Sequence, residues 1–204
     1  DAILAEEGGG RGAAGGRRWI VDPLDGTTNY AHGYPFYCVA IGLEVAGEPA
    51  VGVVHAPALG ETFAAATGGG AFLEDRAGRR RLAVSATREV RRALLVTGFP
   101  YDIAERGAAP FDRFRRFVLA AQGVRRDGSA ALDLCYLAAG RFDGFWEENL
   151  KPWDLAAATV VAREAGARLT DLTGGPYSIH HGEILAAPPA LHPALVAIAR
   201  GESR

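Results

Sequence analysis

Apolar and polar positions alternate through much of the first half of the chain and change to a helical period in the second. From Phe36 to Leu73 the pattern predicts a β-meander. Tyr37–Val45, Ala50–His55 and Thr62–Ala66 are β-rich or small-residue runs, parted by Gly47-Glu48 and by Pro57-Ala58-Leu59-Gly60. Gly68-Gly69-Gly70 predicts a turn into a further short strand, Ala71–Leu73. Upstream, Trp19-Ile20-Val21 reads as an apolar strand, and residues 8–16, which are only glycine, alanine and arginine, read as a mobile loop. Ala93–Thr97 predicts a strand broken by Gly98-Phe99-Pro100, after which Phe111–Gln122 places apolar residues at helical spacing. Ser129–Ala139 predicts a helix capped by Ser129 and ended by Gly140. Phe142–Trp146 predicts a strand, and Asp154–Ala165 a helix with an acidic cap, a small-residue run and Gly166 as its stop. Arg168–Asp171 and Ile184–Ala187 read as short strands, and Leu191–Arg200 as a terminal helix. The antiparallel first half meets a mixed second half near residues 85–95, and function is expected in the cleft between them.

Composition narrows the function classes. A chain of 204 residues, 49% of them apolar, can bury one sizeable core or two tightly packed lobes. Its formal charge of −2 excludes broad electrostatic capture of nucleic acid or an anionic membrane. No apolar run approaches the roughly 20 residues that span a bilayer, and no basic-then-apolar leader opens the sequence. Cys38 and Cys135 sit inside apolar stretches; one disulfide is the alternative, but buried free thiols and a cytoplasmic location are expected. There is no methionine, even at position 1, and Lys151 is the sole lysine, so the sequence is expected to be a fragment or a processed chain. Arg79-Arg80-Arg81 reads as a solvated face.

The chemistry concentrates in Trp19-Ile20-Val21-Asp22-Pro23-Leu24-Asp25-Gly26-Thr27-Thr28-Asn29, where a strand runs into two carboxylates three residues apart. Two such anions held close repel unless they share a divalent cation or a proton. Gly26-Thr27-Thr28 then offers unobstructed backbone N–H groups of the kind that cradle phosphate. Metal ligands beside an anion cradle point to metal-assisted phosphoryl chemistry. The plainer account is an Asp-Pro turn with a helix-capping aspartate. Asp154 is likewise an ordinary N-cap or a carboxylate facing a cleft, with the helix field directed at an anion and Trp153 anchoring the entry. Gly10-Arg11-Gly12-Ala13-Ala14-Gly15 matches G-x-G-x-x-G, but a strand follows it where a helix is required, so a dinucleotide site is excluded. The histidines show no zinc spacing, and neither a G-x-S-x-G elbow nor a Walker loop is present.

This segment resembles the first motif of the inositol monophosphatase family, the Mg2+-dependent, Li+-sensitive sugar-phosphate phosphatases. Ile3-Leu4-Ala5-Glu6-Glu7 resembles the family's upstream acidic stretch, and Pro152-Trp153-Asp154-Leu155-Ala156-Ala157-Ala158 its downstream Trp-Asp motif. Gly128-Ser129-Ala130-Ala131 and Phe145-Trp146-Glu147 match its substrate-side segments, with order and spacing kept across nearly all of the chain. The resemblance implies an α/β fold, an α+β layered sandwich of the sugar phosphatase type. Residues 1–90 would form an N-terminal α+β lobe and residues 91–204 a C-terminal α/β lobe, without the N-terminal helical segment that relatives carry. It also implies two or three Mg2+ ions. Asp22 would bridge two of them, Asp25 and Asp154 would complete one site, and Glu6 with the backbone carbonyl of Leu24 would serve the other; Glu7 is a supporting partner.

In the same scheme Thr27 and Glu6 orient and deprotonate a water for in-line attack, with Asp25 beside them and no covalent phosphoenzyme. The N–H groups of Gly26 and Thr27 hold the phosphate. Gly128, Ser129 and Ala130 line the opposite wall, and Glu147 accepts hydrogen bonds from ring hydroxyls, unless Glu147-Glu148 is only a solvated pair. One of Arg125 and Arg126 meets a second phosphate, or both are solvated. The implied activity is hydrolysis of inositol 1-phosphate or a similar small polyol phosphate by a homodimer. The alternatives are the same chemistry on 3′-phosphoadenosine 5′-phosphate, fructose 1,6-bisphosphate or histidinol phosphate, and a catalytically silent interaction module of the same fold.

Overall fold

The alternating half of the chain folds into one sheet of eight strands: β1 (Ala2–Ala5), β2 (Gly9–Arg11), β3 (Arg17–Asp25), β4 (Cys38–Val45), β5 (Glu48–Ala56), β6 (Glu61–Ala66), β7 (Gly70–Asp75) and β8 (Gly78–Arg81). The computed structural model describes residues 1–11, 16–100, 102–105 and 107–202. Strand order is β2-β1-β3-β4-β5-β6-β7-β8, and every neighbouring pair is antiparallel except β1 and β3. A one-turn helix, α1 (Thr27–Ala31), follows β3. The second half supplies β9 (Leu94–Thr97), α2 (Ala109–Ala120), β10 (Gly123–Arg125), α3 (Ala130–Ala138), β11 (Gly144–Glu148), α4 (Pro152–Glu164), β12 (Arg168–Thr170), β13 (Glu183–Ala187) and α5 (His192–Arg200). Its five strands run β10-β9-β11-β13-β12, with β9 parallel to both neighbours and β13 antiparallel to both.

Helices α3 and α4 lie between the two sheets, and α2 and α5 cover the far face of the smaller one. The larger core therefore joins both halves of the chain: Ile20, Val54, Phe63 and Leu73 meet Leu134, Phe145, Leu155 and Ile184. The second core packs Phe117 flat on Trp146, ring centroids 3.9 Å apart, with Leu185 and Leu195 around them. The small-residue run of α4 has a specific use. Gly42 and Gly52 are register partners on β4 and β5, directly under the helix. A Cβ on Gly52 would stand 2.0 Å from the Ala157 carbonyl oxygen, and one on Gly42 2.8 Å from the Ala156 Cβ. Glycine below and alanine above let helix and sheet approach closely, and this sets the depth at which Asp154 sits.

The meander and the helices fall where the pattern places them, with four differences. Gly9–Arg11, expected in a loop, forms β2 against β1; residues 12–15, and with them most of the G-x-G-x-x-G match, lie outside the described residues. The Arg79–Arg81 run is a strand, solvated as expected but on the sheet edge. There Arg80 bonds Asp75 at 2.6 Å and the Arg79 guanidinium lies 4.2 Å from the Phe72 ring centroid. A charged edge of this kind discourages pairing with another chain. β1 and β10 have no counterpart in the expected pattern, being too short to show a period. Helix α4 starts at Pro152, so Asp154 is not its N-cap: Lys151 is, and Asp154 sits in the first turn. Both cysteines are buried and free. Among the described residues no helix is long and apolar enough to cross a membrane.

Candidate active site

Strand register assembles the acidic groups. The parallel pairing of β1 with β3 sets Ala5 opposite Val21, and Glu6 continues it, its N–H donating to the Val21 carbonyl at 3.3 Å. That brings Glu6 alongside Asp22. In a regular strand Asp22 and Asp25, three apart, would point to opposite faces. Here Asp22 pairs with Ala40 and Asp25 with Cys38, three residues against two, so a bulge absorbs the extra residue and turns both carboxylates to the same side. Pro23, which has no N–H to donate, occupies the bulge. The Leu24 N–H donates to Asp22 Oδ1 at 2.9 Å, which pins the turn. Gly26 then takes φ +89 at the start of α1, and a Cβ there would stand 2.9 Å from the Phe36 carbonyl oxygen. Only glycine makes this turn without strain.

The second half closes on this turn. Asp25 Oδ2 accepts from the Ser129 hydroxyl at 2.7 Å and from the Ala131 N–H at 2.8 Å, and the Cys38 thiol lies 3.8 Å from it. The Asn29 amide donates to the carbonyls of Phe36 and Asp127, both at 2.7 Å, clamping the motif to the wall that carries Gly128. Asp154 Oδ2 accepts from the Lys151 N–H at 2.7 Å. Glu6, Asp22, Leu24, Asp25, Gly26, Thr27, Glu147, Trp153 and Asp154 line one cavity of about 220 Å3. A smaller chamber of about 80 Å3 shares Asp25, Glu147 and Asp154 and adds Arg126, Gly128, Ser129 and Ala130.

Packing carboxylates together in a desolvated pocket makes their ionisation costly. Burial, then the Asp25 charge, pushes Asp22 up to about 8, with Glu6 and Asp154 adding to the effect. Burial, then Asp25 and Glu6, raises Asp154 to about 7 against the pull of the Lys151 N–H. Burial with Asp25 and Asp154 raises Glu147 to about 8. Burial likewise raises Asp25, opposed by its bonds from Ser129 and Ala131.

The expected ligands and substrate contacts, Glu6, Asp22, Leu24, Asp25, Gly26, Thr27, Gly128, Ser129, Ala130, Glu147 and Asp154, line one or other of the two adjoining chambers, whereas Glu7 and Arg125 line neither. Two details differ from expectation. Ser129 stands at the start of α3, but its hydroxyl does not cap the helix; it serves Asp25. The Thr27 hydroxyl donates to the Leu24 carbonyl at 2.9 Å. No sequence pattern assigns Asn29 or Cys38 a part in the site, and both contact it through partners distant in the chain. Asn29 at least stands at the end of the motif, half-buried in α1.

The donor set suits Mg2+. Asp22, Asp25 and Asp154 each keep one carboxylate oxygen free of any protein donor among the described residues, and all three residues line the same cavity. Among the described residues no three acidic, histidine or cysteine groups close into a ready-made metal cage. Mg2+ usually retains several waters and is held by few protein carboxylates, so an open acidic pocket is compatible with such a site.

Comparison with known proteins follows the same line. The model of the inositol monophosphatase family matches residues 1–204. An inositol-1-monophosphatase of Synechocystis sp. is 46% identical over 192 residues, covering 94% of this chain and 66% of the relative. A putative Nus factor SuhB of Neisseria meningitidis serogroup B is 43% identical over 188 residues, covering 92% and 70%. A solved inositol monophosphatase from Anabaena (Nostoc) sp. superposes with a TM-score of 0.92 at 44% identity, over 98% of this chain and 78% of that one. The chain thus spans just under two thirds, 66%, of the length of the Synechocystis relative.

Proposed function

Because the chain belongs to the inositol monophosphatase family, we propose that it is a Mg2+-dependent phosphomonoesterase acting on inositol 1-phosphate or a similar small polyol phosphate. The observation that carries the reading is the set of carboxyls from Glu6, just past β1, and from β3 and α4, lining one cavity beside the Gly26-Thr27 turn. Glu6, Asp22, Asp25, Asp154 and the Leu24 carbonyl would hold two or three ions. Mg2+ bound there neutralises the acidic pocket and makes water a stronger acid.

The chain's own groups do the rest. The Gly26 and Thr27 N–H groups hold the phosphate oxygens at a turn that leaves them open. The Thr27 proton is committed to the Leu24 carbonyl, so its oxygen is left to accept a hydrogen from an attacking water. Glu6, on the same side, takes the proton as that water attacks phosphorus in line, while the P–O bond to the polyol opposite breaks and the departing oxygen takes up a proton from solvent to leave as the alcohol. Asp25, held by Ser129 and Ala131, fixes the distance between the turn and the substrate wall. Glu147, buried and without a protein donor among the described residues, favours a polyol over 3′-phosphoadenosine 5′-phosphate, fructose 1,6-bisphosphate or histidinol phosphate. Li+ sensitivity, a homodimeric state and a cytoplasmic location belong to the same proposal. Family membership supports the first two, and two buried free thiols support the third. Phosphate release from a polyol phosphate panel, with and without Mg2+, is the direct test. Absence of Mg2+-dependent release from every substrate defeats the proposal.

A second reading takes the chain as an interaction module, and the relative named as a Nus factor favours it. The complete acidic set argues for catalysis. Calorimetry separates the two: a chain that takes up no Mg2+ at millimolar concentration yet binds a protein partner supports the module.

A further inference from the structure

Two groups of opposite charge line the smaller chamber and act on each other through it, yet neither makes a hydrogen bond or ion pair among the described residues. The Glu147 carboxyl, at the end of β11, lies so close over Gly98 that a Cβ there would stand 2.1 Å from its Oε1. It takes part in no hydrogen bond or ion pair among the described residues, although the residue is only 9% exposed. Arg126 lines the same chamber, its Nη1 3.3 Å from where a Cβ of Gly128 would be, and it too has no hydrogen bond or ion pair among the described residues. The adjacent Arg125 differs. Its Nη1 reaches back to the Val124 carbonyl at 3.3 Å, and it lines neither chamber.

A guanidinium only donates and a carboxyl accepts through its carbonyl oxygen whether or not it is ionised, whereas a hydroxyl does both. Neighbouring hydroxyls on a polyol ring can answer both groups at once. A second phosphate would answer Arg126 but set its charge against Glu147, Asp25 and Asp154, which line the same space. An aryl group would answer neither and would leave both desolvated and unpaired.

Resting on the phosphatase reading above, we propose that Arg126, working opposite Glu147, is a specificity-determining residue that selects phosphates of neutral polyols over bisphosphates and aryl phosphates. Arg126 is exposed at its edge, so replacement is tolerated by the fold. The test compares the full chain with Arg126→Met and Arg126→Gln in Mg2+, measuring kcat/KM for inositol 1-phosphate, p-nitrophenyl phosphate and fructose 1,6-bisphosphate.

In Arg126→Met the inositol-to-aryl ratio falls about tenfold, as expected for one lost hydrogen bond to a charged donor. The loss lies in KM, and Arg126→Gln, which keeps an amide donor, recovers part of it. An unchanged ratio overturns the assignment, as does a parallel loss on all three substrates. A loss confined to the bisphosphate overturns it too, making Arg126 an anchor for a second phosphate. Should Arg126→Met fail to fold by thermal melting, Arg126→Gln and Arg126→Lys carry the same comparison. A parent chain that turns over none of the three sinks the phosphatase reading itself; turnover with a fixed ratio sinks only the role of Arg126.

Discussion

Asp22 is 1% exposed and has Asp25, Glu6 and Asp154 around it, so burial and neighbouring charge act on it in the same direction. A carboxyl in that position is a cost to the metal-free fold and an asset once a cation arrives. Asp22→Asn should therefore separate stability from function. The amide oxygen can still accept from the Leu24 N–H, while the repulsion disappears. The metal-free variant is expected to melt a few degrees higher, on the order of 1 kcal/mol for a domain of this size, and to lose its Mg2+-induced shift. Phosphatase activity should fall by more than about 100-fold, beyond the loss that follows from removing a partner of a ligand. A variant that melts lower yet keeps its activity would contradict this account. Ser129→Ala is the milder companion. It removes one of the two strong donors to Asp25 Oδ2 and leaves the Ala131 N–H in place. Mg2+ affinity by calorimetry should weaken by about 10–100-fold, with the melting temperature in excess Mg2+ close to that of the parent.

At the level of elements, the site depends on where a bulge and a helix are placed. The β3 bulge puts two carboxylates on one face, and the contact of α4 with β4 and β5 sets the depth of the third. Gly52→Ala would drive a methyl into the Ala157 carbonyl, so α4 must lift or the sheet must bend. Urea denaturation should show a loss of about 1–3 kcal/mol, the usual cost of overpacking, and Mg2+ affinity should fall with it because Asp154 rides on the same helix. Unchanged Mg2+ affinity in a destabilised protein would show that helix depth does not govern the site. Much of this was legible in the sequence, because alternation and small-residue runs leave long imprints: the meander, α3 and α4 follow directly from them. Other parts left no local trace. β1 is four residues long and pairs in parallel with β3, a contact made across a glycine-rich segment. The service of Ser129 to Asp25 spans over a hundred positions, so a serine before a helix reads as a cap until the partner strand is in place. The bulge is half-legible: Pro23 argues against a regular strand, but only register shows which side each aspartate takes.

Across the whole molecule, the acidic pocket joins elements of both sheets, so its electrostatics report on the fold as one unit. Unfolded carboxyls titrate near 4, whereas Asp22 and Glu147 stand at about 8 and Asp154 at about 7. For a carboxyl raised on folding, the stabilising contribution is complete below the unfolded value and is lost as pH rises through the folded one. The metal-free protein should therefore lose stability from this pocket between about pH 4 and pH 8. Mg2+ acts in the opposite sense, since it binds the deprotonated groups and releases their protons. The rise in melting temperature produced by millimolar Mg2+ should be small near pH 5.5, where protons hold the site, and several-fold larger near pH 8.5, where only a cation can. Differential scanning fluorimetry across that range, with KCl matching the ionic strength to remove general screening, measures both trends in one experiment. A Mg2+ shift independent of pH, or one reproduced by KCl, would place the cation elsewhere on the surface and leave the raised carboxyls without a role in binding it.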